Sequence, residues 1–217
     1  MPPATPDAAP GRFITLEGGE GAGKTTHARR LAQVLRARGC EVVVTREPGG
    51  TPGGEEIRRL LVDGAADRWD PLTEALLHFA ARREHVCRCI RPALARGAWV
   101  VCDRFADSTM AYQGYGHGLG QAPIEALAAL TLGGLRPDLT LVLDLPVAEG
   151  LARAGGRGGA EARYERMAAA FHERLRTGFL DIARAEPDRC VVIDARPDPD
   201  RVAAAILAAV EQRLGVP

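Results

Sequence analysis

The chain has 217 residues with 28 basic and 28 acidic side chains, so its formal net charge is zero. That length suits one α/β domain with a sizeable core. Neutrality excludes whole-molecule attraction to nucleic acid, so any anion must be held by a local cluster. No apolar stretch reaches membrane-spanning length. Residues 1–10 are rich in Pro and Ala without the basic start and apolar run of a signal peptide, and a disordered tail is expected there. The five cysteines, Cys40, Cys87, Cys89, Cys102 and Cys190, lack zinc-ligand or thioredoxin spacing. They read as reduced thiols of a cytoplasmic protein.

The first predicted strand, 13–17 (Phe-Ile-Thr-Leu-Glu), runs into Gly18-Gly19-Glu20-Gly21-Ala22-Gly23-Lys24-Thr25 and then a helix predicted over 24–38. This is a complete G-x-x-x-x-G-K-[ST] phosphate loop in its required strand-to-helix context. Glycines let backbone N–H groups close around phosphate oxygens without Cβ clashes, and the helix N-terminus adds favourable partial charge. Lys24 has the reach for β- and γ-phosphates, and the Thr25 hydroxyl is a ligand for Mg²⁺. A ligand-free Gly-rich turn is the alternative; spacing, residue types and context argue against it. The loop alone does not name a reaction, since small-molecule kinases and regulatory or motor NTPases share it. The chain contains no Asn, so it lacks the guanine-reading Asn-Lys-x-Asp of GTPase switches, and a motor ATPase needs more chain.

A second strand, 41–45, leads into Thr45-Arg46-Glu47-Pro48-Gly49-Gly50-Thr51, where Pro-Gly-Gly forces a turn. Either this is a structural turn or it aims Arg46 at a phosphate, with Arg58 following on a helix over 54–62. A long helix is predicted over 72–95 and a third strand over 99–103, ending in Asp103-Arg104-Phe105. A carboxylate at a strand end beside a phosphate loop is placed to hold Mg²⁺ or its waters, and the adjacent Arg to fork a phosphate; a surface ion pair is the plainer reading. Ser108 to Gly114 form a short polar helix able to read a base edge and a sugar. The remaining elements are helices over 123–134, 147–154, 161–185 and 199–214 and strands over 139–144 and 190–194. Near-continuous apolar strands alternating with helices predict an α/β fold: a five-stranded parallel sheet flanked by helices, with ligands at the carboxyl ends of the strands.

Several of these pieces, in this order, resemble bacterial thymidylate kinases, within the P-loop nucleoside monophosphate kinases. They are Glu-Gly-x-Glu-Gly-Ala-Gly-Lys-Thr-Thr, Thr-Arg-Glu-Pro-Gly-Gly-Thr, Phe-Ala-Ala-Arg, Asp-Arg-Phe, Ser-Thr-x-Ala-Tyr-Gln-Gly and Arg-Pro-Asp-Leu-Thr-Leu, spanning about residues 11–214. The resemblance implies a P-loop kinase fold with a mobile lid, Mg²⁺-dependent transfer of the γ-phosphate of ATP to dTMP, and a homodimer. By position, the loop from Gly18 through Gly19, Glu20, Gly21, Ala22, Gly23 and Lys24 to Thr25 and Thr26 would hold ATP. Thr25 and Asp103 would serve the metal, and Glu20 would lie near the acceptor sugar hydroxyl or a metal-bound water. Arg58 and Arg104 would grip the acceptor monophosphate, with Arg46 near the reacting phosphates. Arg82 and Thr109 would bond the thymine edge, Gln113 would join them at dTMP, and Tyr112 would press on the deoxyribose where a 2′-hydroxyl would sit.

For the ring stacked on thymine, counting back four residues from Arg82 gives His78, whereas the Phe-Ala-Ala-Arg text gives Phe79, the favoured choice; His85 reads as a core residue. The Gly-rich segment 153–166 resembles the family's lid. Glu20 stands where another branch of the family carries Arg, so a lid arginine is expected to supply the catalytic cation: Arg157 first, Arg163 next, with Arg153 against adenine. Gly155 departs from relatives that place another Arg there. Two competing readings remain: a deoxynucleoside kinase or other nucleoside monophosphate kinase, and a non-catalytic nucleotide-binding regulator, which would be expected to have lost Lys24 or the lid arginines.

Overall fold

The computed structural model describes residues 11–65, 67–155, 164 and 167–216. Five parallel strands run β2 (Val42–Arg46), β3 (Trp99–Asp103), β1 (Phe13–Glu17), β4 (Leu139–Asp144) and β5 (Cys190–Asp194) across one sheet. β1 is central, pairing Phe13 with Val100 of β3 and Ile14 with Leu139 of β4. The chain therefore leaves β1 in one direction for β2 and β3 and in the other for β4 and β5. That switch point opens a crevice beyond the carboxyl end of β1, where the phosphate loop lies.

β1 is fully buried because both sheet faces are covered. On one face Ile14, Leu16, Val101 and Leu141 pack against Leu31 and Leu35 of α1 (Lys24–Ala37) and Ile206 and Val210 of α9 (Pro199–Leu214). On the other, Phe13, Val100 and Cys102 pack against Val86, Ile90 and Phe105. Helix starts follow their caps. Thr51 accepts from the Gly54 N–H at the head of α2 (Pro52–Val62), and Asp70 accepts from Leu72 and Thr73 at the head of α3 (Pro71–His85). Each has proline in its first turn, where the missing N–H costs nothing.

The structure corrects several expected boundaries. β2 is shifted by one residue, so Arg46 closes the strand. The helix expected over 72–95 is α3, a π-helical turn Val86–Ile90 and α4 (Arg91–Ala95) in unbroken succession. Pro92 withholds a donor from this ladder, and the wider turn directly precedes it. The polar segment after β3 is α5 (Ala106–Thr109) continuing as a π-helical turn, Met110–Gly116. α6 (Gln121–Leu132) stops before Gly133 and Gly134, both at positive φ. α7 spans Val147–Gly155, and α8 (Ala169–Ala185) starts later than the predicted 161, after Ala168 in extended conformation. The tail 1–10 and most of the expected lid lie outside the described residues. No helix among the described residues is long and apolar enough to cross a membrane.

Candidate active site

The phosphate loop turns on Gly18, Gly21 and Gly23, with φ of 132°, 70° and 87°. A Cβ on Gly21 would strike the Gly150 carbonyl oxygen, so the loop sits directly on α7. Lys24, the chain's one lysine, is buried, and its Nζ donates to the Gly19 carbonyl oxygen at 2.7 Å. Burial, and then the neighbouring Arg104, lower the Lys24 ammonium to about 8 against the opposing pull of Glu20 and Asp103. The register that sets Leu16 opposite Asp103 brings this carboxylate to the first turn of α1, where the Thr25 hydroxyl donates to Asp103 Oδ2.

Arg104 is the one non-glycine residue at positive φ among the described residues, at 70°. Hydrogen bonds on both sides hold this turn: Arg104 N–H donates to the Leu16 carbonyl oxygen at 2.9 Å, and Phe105 N–H to Glu17 Oε1 at 2.7 Å. Glu17 Oε2 accepts from the Ser108 hydroxyl at 2.6 Å. Burial, then Asp107, push the Glu17 carboxyl up to about 8. The Arg104 guanidinium donates to Glu20 Oε1 at 3.1 Å, to the Tyr112 hydroxyl at 2.9 Å and to the Gly18 carbonyl oxygen at 3.1 Å. Burial would raise Glu20, but Arg104 and Lys24 together hold it at about 2. Tyr112 also donates to Glu20, and burial sends its phenol well above the ordinary range.

The far end is built around Arg82. It is 2 % exposed, and its guanidinium donates to Glu47 Oε2 at 2.6 Å, to the Phe105 carbonyl oxygen at 3.0 Å and to the Thr109 hydroxyl at 3.0 Å. The Phe79 and Phe105 rings lie against it, 4.7 and 5.3 Å away. Glu47 also meets His85 Nδ1 at 2.9 Å, and His85 Nε2 meets the Thr45 hydroxyl at 2.7 Å. Gln113 is fully buried and donates through Nε2 to Glu74 Oε1 at 2.7 Å.

One cleft of about 540 Å³ joins the two ends, a size that suits small-molecule sites. Of the expected residues, Glu20, Gly21, Gly23, Lys24, Thr25 and Thr26 line its phosphate end with Asp103 and Arg104. Arg46, Arg58, Arg82, Thr109, Tyr112 and Gln113 line the rest. Arg46 is half exposed and pairs with Glu55 at 3.0 Å; Arg58 donates to the Pro48 carbonyl oxygen at 2.7 Å. Gly18 and Gly19 border a smaller neighbouring pocket, and Ala22 is buried in the core. Arg153 lies elsewhere, donating to the carbonyls of Ala195 and Arg196 just past β5. Arg157 and Arg163 fall outside the described residues.

Phe79 requires a correction. It is 1 % exposed and packs with Ala75 and Ile124 behind Arg82, whereas its neighbour His78 lines the cleft. Glu17, Glu47 and Glu74 hold site residues in place, and no motif in the sequence assigns them that role. An acid closing an otherwise apolar strand, as in Phe-Ile-Thr-Leu-Glu, was the available signal for Glu17, because a buried carboxylate demands partners.

The family model described as thymidylate kinase matches residues 16–206. A thymidylate kinase of Caulobacter vibrioides is 64% identical over 209 residues, covering 95% of this chain and 99% of that protein. One of Gluconobacter oxydans is 55% identical over 214 residues, covering 96% and 98%. The crystal structure of thymidylate kinase from Ehrlichia chaffeensis superposes with a TM-score of 0.76 at 37% identity, covering 94% of this chain and 99% of that one.

Proposed function

The chain belongs to the thymidylate kinase family, enzymes that phosphorylate dTMP to dTDP with ATP, and from that premise we propose how its cleft divides the work. The observation that carries the assignment is the continuity of the cleft from Lys24 and Thr25 to Arg82, Thr109, Tyr112 and Gln113. The phosphate loop takes the ATP phosphates. Arg82, Thr109 and Gln113 take the thymine edge, His78 faces the base, and Tyr112 lies against the deoxyribose. Arg58 and Arg104 hold the dTMP phosphate, and Arg46 stands near the reacting groups.

A dTMP phosphate oxygen forms a bond to the γ-phosphorus of ATP as the bond to the β–γ bridging oxygen breaks, and ADP leaves with that electron pair. The acceptor is already an anionic oxygen, so no strong base is needed. Positioning, and cations set against the repulsion between two anions, carry the chemistry. Thr25 and Asp103 together present a hydroxyl and a carboxylate, hard oxygen donors that fit Mg²⁺, which takes one or two carboxylates and completes its shell with phosphate and water. Bound there, Mg²⁺ would neutralise charge on the phosphates.

From the sequence, Arg157 supplies the further cation on the transferred group. Arg157→Ala should lower kcat by on the order of 10²-fold with small KM changes; a loss confined to Arg163→Ala would reassign that role. Leu60 on α2, Leu72 and Leu76 on α3 and Leu130 on α6 are exposed, which supports a homodimer through these helices. Sedimentation equilibrium tests it. A cytoplasmic location accords with the five free thiols. A coupled assay offering dTMP, dUMP, dCMP, thymidine and no acceptor tests the function. Turnover should be highest with dTMP; a preference for thymidine would overturn the acceptor assignment.

A further inference from the structure

We infer that Glu74 sets the pyrimidine selectivity of the cleft from behind, as a positioning residue, by fixing which end of the Gln113 amide faces the base. The inference rests on the reading above that Arg82 and Gln113 meet the base edge. Glu74 stands in the first turn of α3 and is 1 % exposed; it is not part of the cleft lining, whereas Gln113 is.

A primary amide has a donor end and an acceptor end of nearly equal shape, so side-chain packing alone does not choose between them. Glu74 chooses. A carboxylate only accepts, so the Gln113 NH₂ must turn toward Glu74 Oε1, which it meets at 2.7 Å. The amide oxygen is thereby directed away from Glu74. Among the described residues, Gln113 Oε1 has no hydrogen-bond partner, and neither does Arg82 Nη1, although both are buried. Arg82 cannot supply the acceptor, because a guanidinium only donates. Its other nitrogens are engaged by Glu47, Phe105 and Thr109.

The cleft thus offers one buried donor and one buried acceptor at its base end. A pyrimidine imide matches that pair: its ring N3–H donates, and a flanking carbonyl accepts. Cytosine reverses both, with an accepting N3 beside a donating amino group, and would leave two buried polar atoms facing like partners. Sites built around such groups reject the mismatched analogue strongly. The same argument predicts that dUMP, which carries the imide, is not excluded by this device; it separates imide bases from cytosine and does not read the methyl group.

The experiment measures kcat/KM for dTMP and dCMP in wild type, Glu74→Gln, Glu74→Asp and Gln113→Leu, with thermal melts to check folding. Glu74→Gln keeps the shape but can accept or donate, so the Gln113 amide is freed to turn over. The dTMP-to-dCMP ratio should fall roughly tenfold to a hundredfold, in part through a gain with dCMP. Glu74→Asp retains an acceptor-only group and should keep most of the ratio. A purely structural Glu74 would lower both substrates together and leave the ratio unchanged, which would overturn the inference. Gln113→Leu tests the underlying reading separately: it should cost dTMP at least about tenfold. If it does so while Glu74→Gln keeps the wild-type ratio, Gln113 reads the base but Glu74 does not orient it. If Gln113→Leu leaves dTMP unaffected, the reading of the base end fails first. Should Glu74→Gln not fold, the same fall in ratio is required of Glu74→Met, which fills the space without an acceptor.

Discussion

The two ends of the cleft use an arginine in different ways. Arg104, at the phosphate end, sits on a left-handed backbone and shares Glu20 with Lys24 and Tyr112. Two of its partners, Glu20 and Tyr112, are titratable, so on the proposed reading an incoming phosphate would enter a network of like and unlike charges. Arg82, at the base end, lies against two phenylalanine rings with a carboxylate, a carbonyl and a hydroxyl accepting from it. On the proposed reading the phosphate end would work by charge, which acts over distance and tolerates small displacements. The base end would work by direction, since a hydrogen bond loses its value within a few tens of degrees.

This contrast is broken most severely at Lys24. Lys24→Ala removes the ammonium at the phosphates and should lower turnover by about 10²-fold or more, with dTMP affinity near normal. Single-turnover kinetics on the folded variant provide the check, and near-normal rates would remove charge as the basis of that end. Arg82→Ala should instead weaken dTMP by roughly 1.5–3 kcal/mol and leave ATP affinity nearly unchanged, as read by calorimetry. It also strands the Glu47 carboxylate, now opposite His85 alone, so a lower melting temperature is expected as well. Equal loss of both ligands would mean that the two ends are not separable.

A smaller effect is expected where the ends meet. On the proposed reading the Tyr112 ring stands against a 2′-hydroxyl, while its own hydroxyl bonds to Arg104 and Glu20. Tyr112→Phe should therefore keep most of the preference for dTMP over its ribo-analogue, and Tyr112→Ala should narrow it. Full preference in the alanine variant would place the exclusion elsewhere. The smallest effect concerns His85. Burial would lower its pKa, but hydrogen bonds to Cys89 and Glu47 raise it to about 9, from an ordinary value of 6.5. The charged ring's contribution to stability is thus complete below about pH 6.5 and is lost as pH rises through about 9. The melting-temperature advantage of wild type over His85→Gln should narrow over that interval, by on the order of a few degrees. A constant difference would show that the proton on His85 does not support Glu47.

The phosphate end was legible in the sequence because its chemistry lies in one continuous run. A strand, three left-handed glycines, a lysine and a hydroxyl follow each other from Phe13 to Thr25, and local geometry dictates their spacing. The three inner strands, β3, β1 and β4, were equally plain, since apolar runs covered on both faces leave little choice; the edge strands β2 and β5 leave Val44 and Val192 exposed. The base end was harder to read because its pairs come from distant segments: Glu47 with Arg82 at 35 residues and Glu74 with Gln113 at 39. Nothing local marks an acid on a helix as the partner of an amide several elements away. His78 and Phe79 show the limit sharply. They precede Arg82 by four and three residues, and both spacings put neighbours on the same helix face. Only packing against Ile124 decides that the phenyl ring turns inward and the imidazole toward the cleft.

Lys24 has a practical consequence that follows from its being the chain's one lysine. Apart from the terminal amine, an acylating reagent has a single nitrogen of that type to find, and it lies at the phosphate loop. With its ammonium lowered to about 8, an appreciable share is free base in mildly alkaline buffer. Acylation at Lys24, located by mass spectrometry apart from the terminal amine, should be slower with a nucleotide over the loop than without one, and slow in both cases because the amine is buried against the Gly19 carbonyl. The wild-type protein thus carries a single internal footprinting position at its phosphate loop, with no tag, no added cysteine and no turnover assay required.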